Sequence, residues 1–369
     1  MPTSAAYSLP DQATHGGEIF EVARRLKVDP KEILDFSSNI NPLGPPLVAI
    51  RCIQESIWLV PHYPDISYYT FRKAAAEYVG LPSPENVVEG NGSTELIYLF
   101  ADVSLREGDK AIIPVPSFGE YQRAVLRRGG RLFTVPCRKD FGVDMEGVAG
   151  ALAEGYKALF LSNPSNPSSR TIPKKDLLRT IELAYDRGVP VLLDETFIEF
   201  TDDHGLSLSN RVNEFPNLFV LRSLTKTFAL TGLRIGYGLA SQKFAERLRK
   251  AKLPWSVNVL AQEAGIAALN DSDYLERSKK LIAKEREFLY SELKTIEGLN
   301  PVRPEANFVL VNLAKGNTAK ELKSSLLRKR ILIRDCSSFE GLNGSYFRVC
   351  VRLRNQNATL LSALREAIS

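Results

Sequence analysis

The feature that most restricts this chain is an alternation. Short apolar runs closed off by turn residues are followed, again and again, by longer stretches of helical period. Strand candidates fall at residues 111–115, 131–135, 158–162, 189–193, 218–222 and 233–239. Between them lie amphipathic segments such as 174–186, where Leu177, Leu178, Ile181 and Ala184 return at helical spacing. Strands alternating with helices over such a length read as βαβ units, so the expected class is α/β with a mostly parallel sheet flanked by helices. The pattern changes after about Pro254. Two long helical segments, 258–269 and 274–296, precede a smaller alternating set: strand 308–312, helix 319–329, strands near Ile331 and Phe347, and a last helix from Gln356. The chain of 369 residues then divides into an arm rich in Gly and Pro (1–45), a large domain (46–254) and a smaller α+β C-terminal domain (255–369).

Composition narrows the class of function. Apolar residues at 44% and charged ones at 25% exclude a disordered, collagenous or coiled-coil chain. A net charge of +5, from 48 basic and 43 acidic residues, is too small to argue for nucleic acid or a membrane surface as partner. Cys52, Cys137, Cys336 and Cys350 show no CxxC spacing, and the only histidines are His15, His62 and His204, so no metal site is expected. Scattered cysteines in a chain of this size suit a reducing compartment. The start, MPTSAAYSLP, lacks the basic and apolar regions of a secretory signal. No apolar run approaches the roughly 20 residues of a membrane helix. The expected location is the cytoplasm.

Three clusters carry chemistry. At 87–94, VVEGNGST, a short strand runs into Gly-Asn-Gly-Ser-Thr and then a helical pattern. Glycines admit close approach of a ligand, and Ser93 and Thr94 open a helix N-terminus suited to an anion. A plain helix cap by Ser93 fits the same residues. Glu95 stands where GxGxxG needs its third glycine, and no lysine follows where a P-loop needs one. Asp194 ends an apolar strand, where ligands of open α/β sheets bind, although a strand-end Asp also caps turns. Lys226, in RSLTKTF just past another apolar strand, sits where a desolvated amine can act as a Schiff-base nucleophile; most lysines are simply solvated. An anion cradle, an acid and a lysine at three strand ends of one sheet are the parts that hold pyridoxal phosphate.

These motifs resemble those of fold-type-I pyridoxal-phosphate enzymes of the class I/II aminotransferase superfamily, over nearly the whole length. The resemblance implies an aspartate-aminotransferase-like large domain and a homodimer whose site is shared between subunits. SLTKTFALTGLRIGYG is similar to the family's lysine motif, making Lys226 the cofactor-bonding lysine and Ser223 and Arg234 phosphate ligands. VLLDETF resembles the motif whose aspartate, here Asp194, meets the pyridine nitrogen. GNGSTE matches the phosphate cup of Gly92, Ser93 and Thr94. PSFGEY places Phe118 on the cofactor ring, NPSNPSS places Asn166 at its phenolic oxygen, and HYPD places Tyr63 at the neighbouring subunit's cofactor phosphate. FRVCVR matches the segment whose arginine, here Arg348, holds a substrate anion. Two departures stand out. NPTG of the family reads Asn166-Pro167-Ser168-Ser169, and DEAY reads Asp194-Glu195-Thr196-Phe197, which removes a tyrosine hydroxyl.

Within the superfamily the chain is most similar to threonine-phosphate decarboxylases and, next, to histidinol-phosphate aminotransferases. His15-Gly16-Gly17, LDFSSNINPLGPP, Phe197, LPWSVNVLA and ILIRDC lean to the decarboxylase. That implies a lyase converting L-threonine O-3-phosphate to (R)-1-amino-2-propanol phosphate in cobalamin biosynthesis. A serine-phosphate decarboxylase differs by one methyl group, worth only about 1–3 kcal/mol of discrimination. His15, Asn39, Asn166, Arg334, Arg348 and Arg352 are the candidates to hold substrate carboxylate and phosphate, without an assignment of which takes which. A phosphorylated amino acid is the expected partner.

Overall fold

The structure, a computed structural model, describes residues 16–203, 205–314 and 318–368. Its strands, in chain order, are β1 Leu34–Asp35, β2 Val87–Gly90, β3 Lys110–Val115, β4 Arg131–Pro136, β5 Ala158–Ser162, β6 Val191–Asp194, β7 Leu218–Ser223, β8 Gly236–Ala240, β9 Leu299–Pro301, β10 Phe308–Leu313, β11 Ile331–Leu332, β12 Arg334–Asp335 and β13 Tyr346–Cys350. Seven of them form one sheet in the order β2-β8-β7-β6-β5-β3-β4. From β7 to β4 all neighbours are parallel, and β8 runs antiparallel to both β2 and β7. The α/β class with a mostly parallel sheet is therefore the observed one.

The apolar runs explain the sheet. β5, β6 and β7 are buried at every position, as strands covered by helices on both faces must be. Side-chain alternation sorts them into two cores. Leu159, Leu161, Leu193 and Val220 join Leu177, Ile181 and Ala184 on one face. Phe160, Leu192, Phe219 and Leu221 join Phe100 and Phe244 on the other. The helix with Leu177 spans Lys174–Asp186, the bounds its periodicity predicts. β8 starts three residues later than expected, because Thr231–Leu233 is a 3-10 turn and Arg234 adopts a left-handed φ of 58°. β6 starts after Pro190, which has no N–H to give a ladder.

A second, antiparallel sheet has the order β12-β13-β10-β9, while β1 pairs with β11 in parallel. Its core does not begin at Pro254. Ala261, Ala264 and Ala268, on helix Val259–Leu269, pack into the core of the large sheet. Phe36 packs with Val309, Val349 and Leu360 in the small one, and Val22 and Ala23 pack with Leu327 and Leu332. The helix is apolar on all sides, so its sequence pattern marks it as buried without saying in which core. Ser169, in the left-handed region at φ 65°, joins the two bodies. Its Oγ accepts the Glu305 and Ala306 N–H groups at 3.1 and 2.7 Å. Among the described residues no helix is long and apolar enough to cross a membrane.

Candidate active site

The C-terminal ends of β5, β6 and β7 lie along one edge of the large sheet, at Ser162, Asp194 and Ser223. A cavity of about 440 Å³ opens there. Its inner wall comes from the strand ends and the loops that follow them; its outer side comes from Gly16, Ser37, Ser38, Asn39 and, on β13, Arg348.

Asp194 is the buried last residue of β6. Its Oδ2 accepts the Tyr121 hydroxyl at 2.7 Å and its Oδ1 the Thr196 N–H at 2.9 Å. Burial raises its pKa, and these hydrogen bonds pull the other way. Burial, and then the Asp194 charge, push the Tyr121 phenol well above its ordinary range, so it remains a donor. Lys226 stands in a single helical turn, Leu224–Thr227, directly after β7. Its amine faces the cavity and makes no hydrogen bond or ion pair among the described residues. Burial, reinforced by the charges of Arg234 and Arg348, brings its pKa down to about 8. Such an amine has a usable neutral, nucleophilic fraction near neutrality.

Gly92 caps helix Ser93–Ser104 with φ 77°. A Cβ there would stand 2.6 Å from Arg234 Nη2, so only glycine lets that guanidinium close over the helix start. Ser93, Thr94, Thr225, Thr231 and Arg234 line this end of the cavity, a concentration of donors at a helix N-terminus. Ser223 is one step back: its hydroxyl meets Thr225 Oγ1 at 2.6 Å. Phe118 lines the cavity, edge-on to Tyr121 with centroids 5.8 Å apart. At the far end Asn166 Oδ1 accepts from Arg348 Nη1, and Arg348 Nη2 donates to the Ser37 carbonyl at 2.9 Å. Burial lowers the Arg348 pKa to about 10, which leaves it charged at neutral pH.

The cavity thus gathers Asn39, Ser93, Thr94, Phe118, Asn166, Asp194, Lys226, Arg234 and Arg348. Arg334, the register partner of Arg348, does not line it; its guanidinium lies over Phe339 and donates to Ser338 Oγ at 2.9 Å. Arg352 donates to Gln356 Oε1 at 3.2 Å, also off the cavity. Tyr63 is 83% exposed and packs on Trp255 with centroids 5.0 Å apart. His15 lies outside the described residues. Tyr121, Thr225, Ser37 and Ser38 were not singled out in the sequence. For Tyr121 a signal existed, since it stands one helical turn beyond Phe118.

The lining fits a phosphorylated, ring-bearing aldehyde. Three buried polar atoms around it have no hydrogen-bond partner among the described residues: Arg348 Nε, Asn39 Oδ1 and Thr196 Oγ1. Donors cluster at one end, and an amine with no partner among the described residues lines the same cavity as a buried acid. The family model of class I and II aminotransferases matches residues 31–364. The chain belongs to this family. Its members work with pyridoxal 5'-phosphate, which is the cofactor of this chain. Among its relatives, the threonine-phosphate decarboxylase of Salmonella typhimurium is 35% identical over 360 residues, 97% of each chain. The histidinol-phosphate aminotransferase of Methanothermobacter thermautotrophicus is 33% identical over 357 residues, covering 96% of this chain and 94% of its own. Among solved structures, the histidinol-phosphate aminotransferase from Clostridium acetobutylicum superposes with a TM-score of 0.85 at 32% identity, over 90% of this chain and 98% of that one.

Proposed function

We propose that this aminotransferase-family chain is a decarboxylase of L-threonine O-3-phosphate, releasing CO2 and (R)-1-amino-2-propanol phosphate, a step of cobalamin biosynthesis. The observation that carries the reading is Phe197. It lines the cavity, is buried against Phe308 with centroids 4.9 Å apart, and offers no hydroxyl where the family's tyrosine has one.

Pyridoxal phosphate supplies an electron sink for the pair of electrons left at Cα. The chain supplies placement and proton control. Ser93, Thr94, Thr225 and Arg234 take the cofactor phosphate, with Gly92 leaving room and Ser223 orienting Thr225. Asp194, fixed by Tyr121 and the Thr196 amide, holds a proton on the pyridine nitrogen. Phe118, which lines the cavity, would pack against the cofactor ring. Asn166, its carbonyl held by Arg348, is left with its amide N–H groups for the phenolic oxygen. Lys226 is the nucleophile toward the aldehyde and, when released, the carrier of a proton at Cα. Arg348, whose buried guanidinium lines the cavity, is the cation for a substrate anion. Asn39, which lines the cavity, and His15 are the remaining candidates for the substrate's other polar groups, while Arg334 and Arg352 lie off the cavity.

A second copy of the chain completes the site in this reading. Leu47, Trp58, Tyr63, Leu253 and Trp255 form exposed apolar surface of the kind that marks an interface. Tyr63 then reaches the partner's cofactor phosphate. The second reading is a histidinol-phosphate aminotransferase, favoured by the relatives that carry that name. CO2 release from threonine phosphate without any keto-acid acceptor is the expected result. Efficient transfer of the amino group of histidinol phosphate to 2-oxoglutarate, with no CO2 from threonine phosphate, would sink the decarboxylase.

A further inference from the structure

Behind the wall that bears Asp194 and Lys226 lies a buried charged cluster that the reaction does not itself require. Arg222 donates through Nη1 to Ser209 Oγ at 2.8 Å and to Glu195 Oε2 at 3.3 Å, and through Nη2 to Glu199. Burial lowers its pKa; Glu199, followed by Tyr237 and Glu195, outweighs this and holds it above the ordinary value. Glu195 is satisfied locally, by the Ser207 and Ser209 hydroxyls and the Leu208 N–H. Glu199 is different. Besides Arg222 it accepts the Thr227 hydroxyl at 3.2 Å and the Tyr78 hydroxyl at 3.4 Å.

The sequence positions matter. Glu195 follows Asp194, Arg222 precedes Ser223 and Thr227 follows Lys226, so one cluster grips the segments that follow both β6 and β7. Lys226 stands in a helix of one turn, which cannot hold its own direction because nucleation is the costly step. Its orientation depends on tethers from outside. Asn41 supplies one set, from its N–H to the Lys226 carbonyl at 3.1 Å and from Nδ2 to the Thr227 carbonyl at 2.8 Å. The Thr227 hydroxyl on Glu199 supplies the side-chain tether. A buried ion cluster is weak evidence for stability, since apolar residues of similar volume often serve as well. Orientation is what this one adds. Glu199 faces a separate cavity of about 350 Å³ and does not line the active site, so it acts through Thr227 and Arg222.

We propose that Glu199 is a positioning residue that sets the direction of the Lys226 amine from behind the cavity. The inference rests on Lys226 being the residue that captures the cofactor aldehyde, a condensation that releases one water. The test mixes apoprotein with pyridoxal phosphate and follows the rate at which the visible band forms. Glu199→Gln is expected to slow it at least tenfold, while affinity for pyridoxamine phosphate, which has no aldehyde, stays at the wild-type value. Thr227→Val should slow it in the same way and Thr227→Ser should not. The double variant should be no slower than the slower single one, because both remove one interaction. A wild-type rate in Glu199→Gln, additive losses in the double variant, or an equal loss of pyridoxamine phosphate affinity would each overturn the proposal. Lys226→Ala tests the reading beneath it separately: a visible band that survives in that variant removes Lys226, whatever Glu199 does.

Discussion

The inner and outer sides of the cavity are built on opposite plans. On the inner wall, Asp194 is held by two donors, the Tyr121 hydroxyl and the Thr196 amide, and the next residue along is locked into the Arg222 cluster. On the outer side, Arg348 and Asn39 are equally buried, and each keeps a polar atom with no partner among the described residues, as Thr196 and Arg222 do on the inner side. The inner wall is held from within the large domain, whereas on the outer side Arg348 joins the small sheet to Asn166 and to the Ser37 carbonyl.

Four variants bear on this contrast. The largest effect is expected for Lys226→Ala: turnover should fall by roughly 10³-fold or more, with the visible absorbance lost, as spectra and single-turnover assays will show. Next comes stability without cofactor. Lys226 has its pKa lowered from 10.5 to about 8, so the folded apoprotein disfavours its charge. Below pH 8 that disfavour is fully present, and it is relieved as pH rises from 8 to 10.5. Lys226→Met apoprotein should therefore be more stable than wild type at pH 7, by at most about 3 kcal/mol, with the gap closing by pH 10.5. Denaturant melts at both pH values check this; a gap that widens with pH would break the contrast.

On the outer side, Arg348→Met should raise KM for the phosphorylated substrate by roughly 10- to 100-fold, the scale of a charge-assisted hydrogen bond. Cofactor affinity should hold while the visible band shifts, because Arg348 also fixes Asn166 and lowers the Lys226 pKa; if cofactor affinity falls as well, the two sides are not separate. The smallest effect is expected for Gly16→Ala. A Cβ at Gly16 would collide with the Ser37 carbonyl oxygen at the cavity mouth, where the Gly17 N–H also donates to Ser37 Oγ at 2.9 Å. KM should rise about fivefold, on the order of 1 kcal/mol, with the melting temperature nearly unmoved.

The same contrast governs what could be read in the sequence. Asp194, Lys226 and the Gly92–Thr94 turn were legible because each ends an apolar strand or opens a helix, and strand ends of one parallel sheet must share an edge. Tyr121 was harder, since a buried tyrosine in a helix reads first as core. The outer side escaped local reading. Arg334 and Arg348 look alike in their apolar segments, but β12 has only two residues and turns at once to Phe339, which draws the Arg334 guanidinium off the cavity. Ser37 and Ser38 enter the site because β1 pairs with β11, nearly 300 residues later, a contact that no short pattern announces.

Ser169 stands where most of the family has glycine, and its backbone is left-handed. A glycine would occupy that conformation more cheaply, by roughly 1 kcal/mol, but has no side chain to accept the Glu305 and Ala306 amides. The residue therefore works as a latch across the seam between the two sheets. Its strength is set apart from the chemistry: the rate at which the seam breathes, visible as hydrogen exchange at the Ala306 amide, can be tuned at this position without touching any group that meets the substrate.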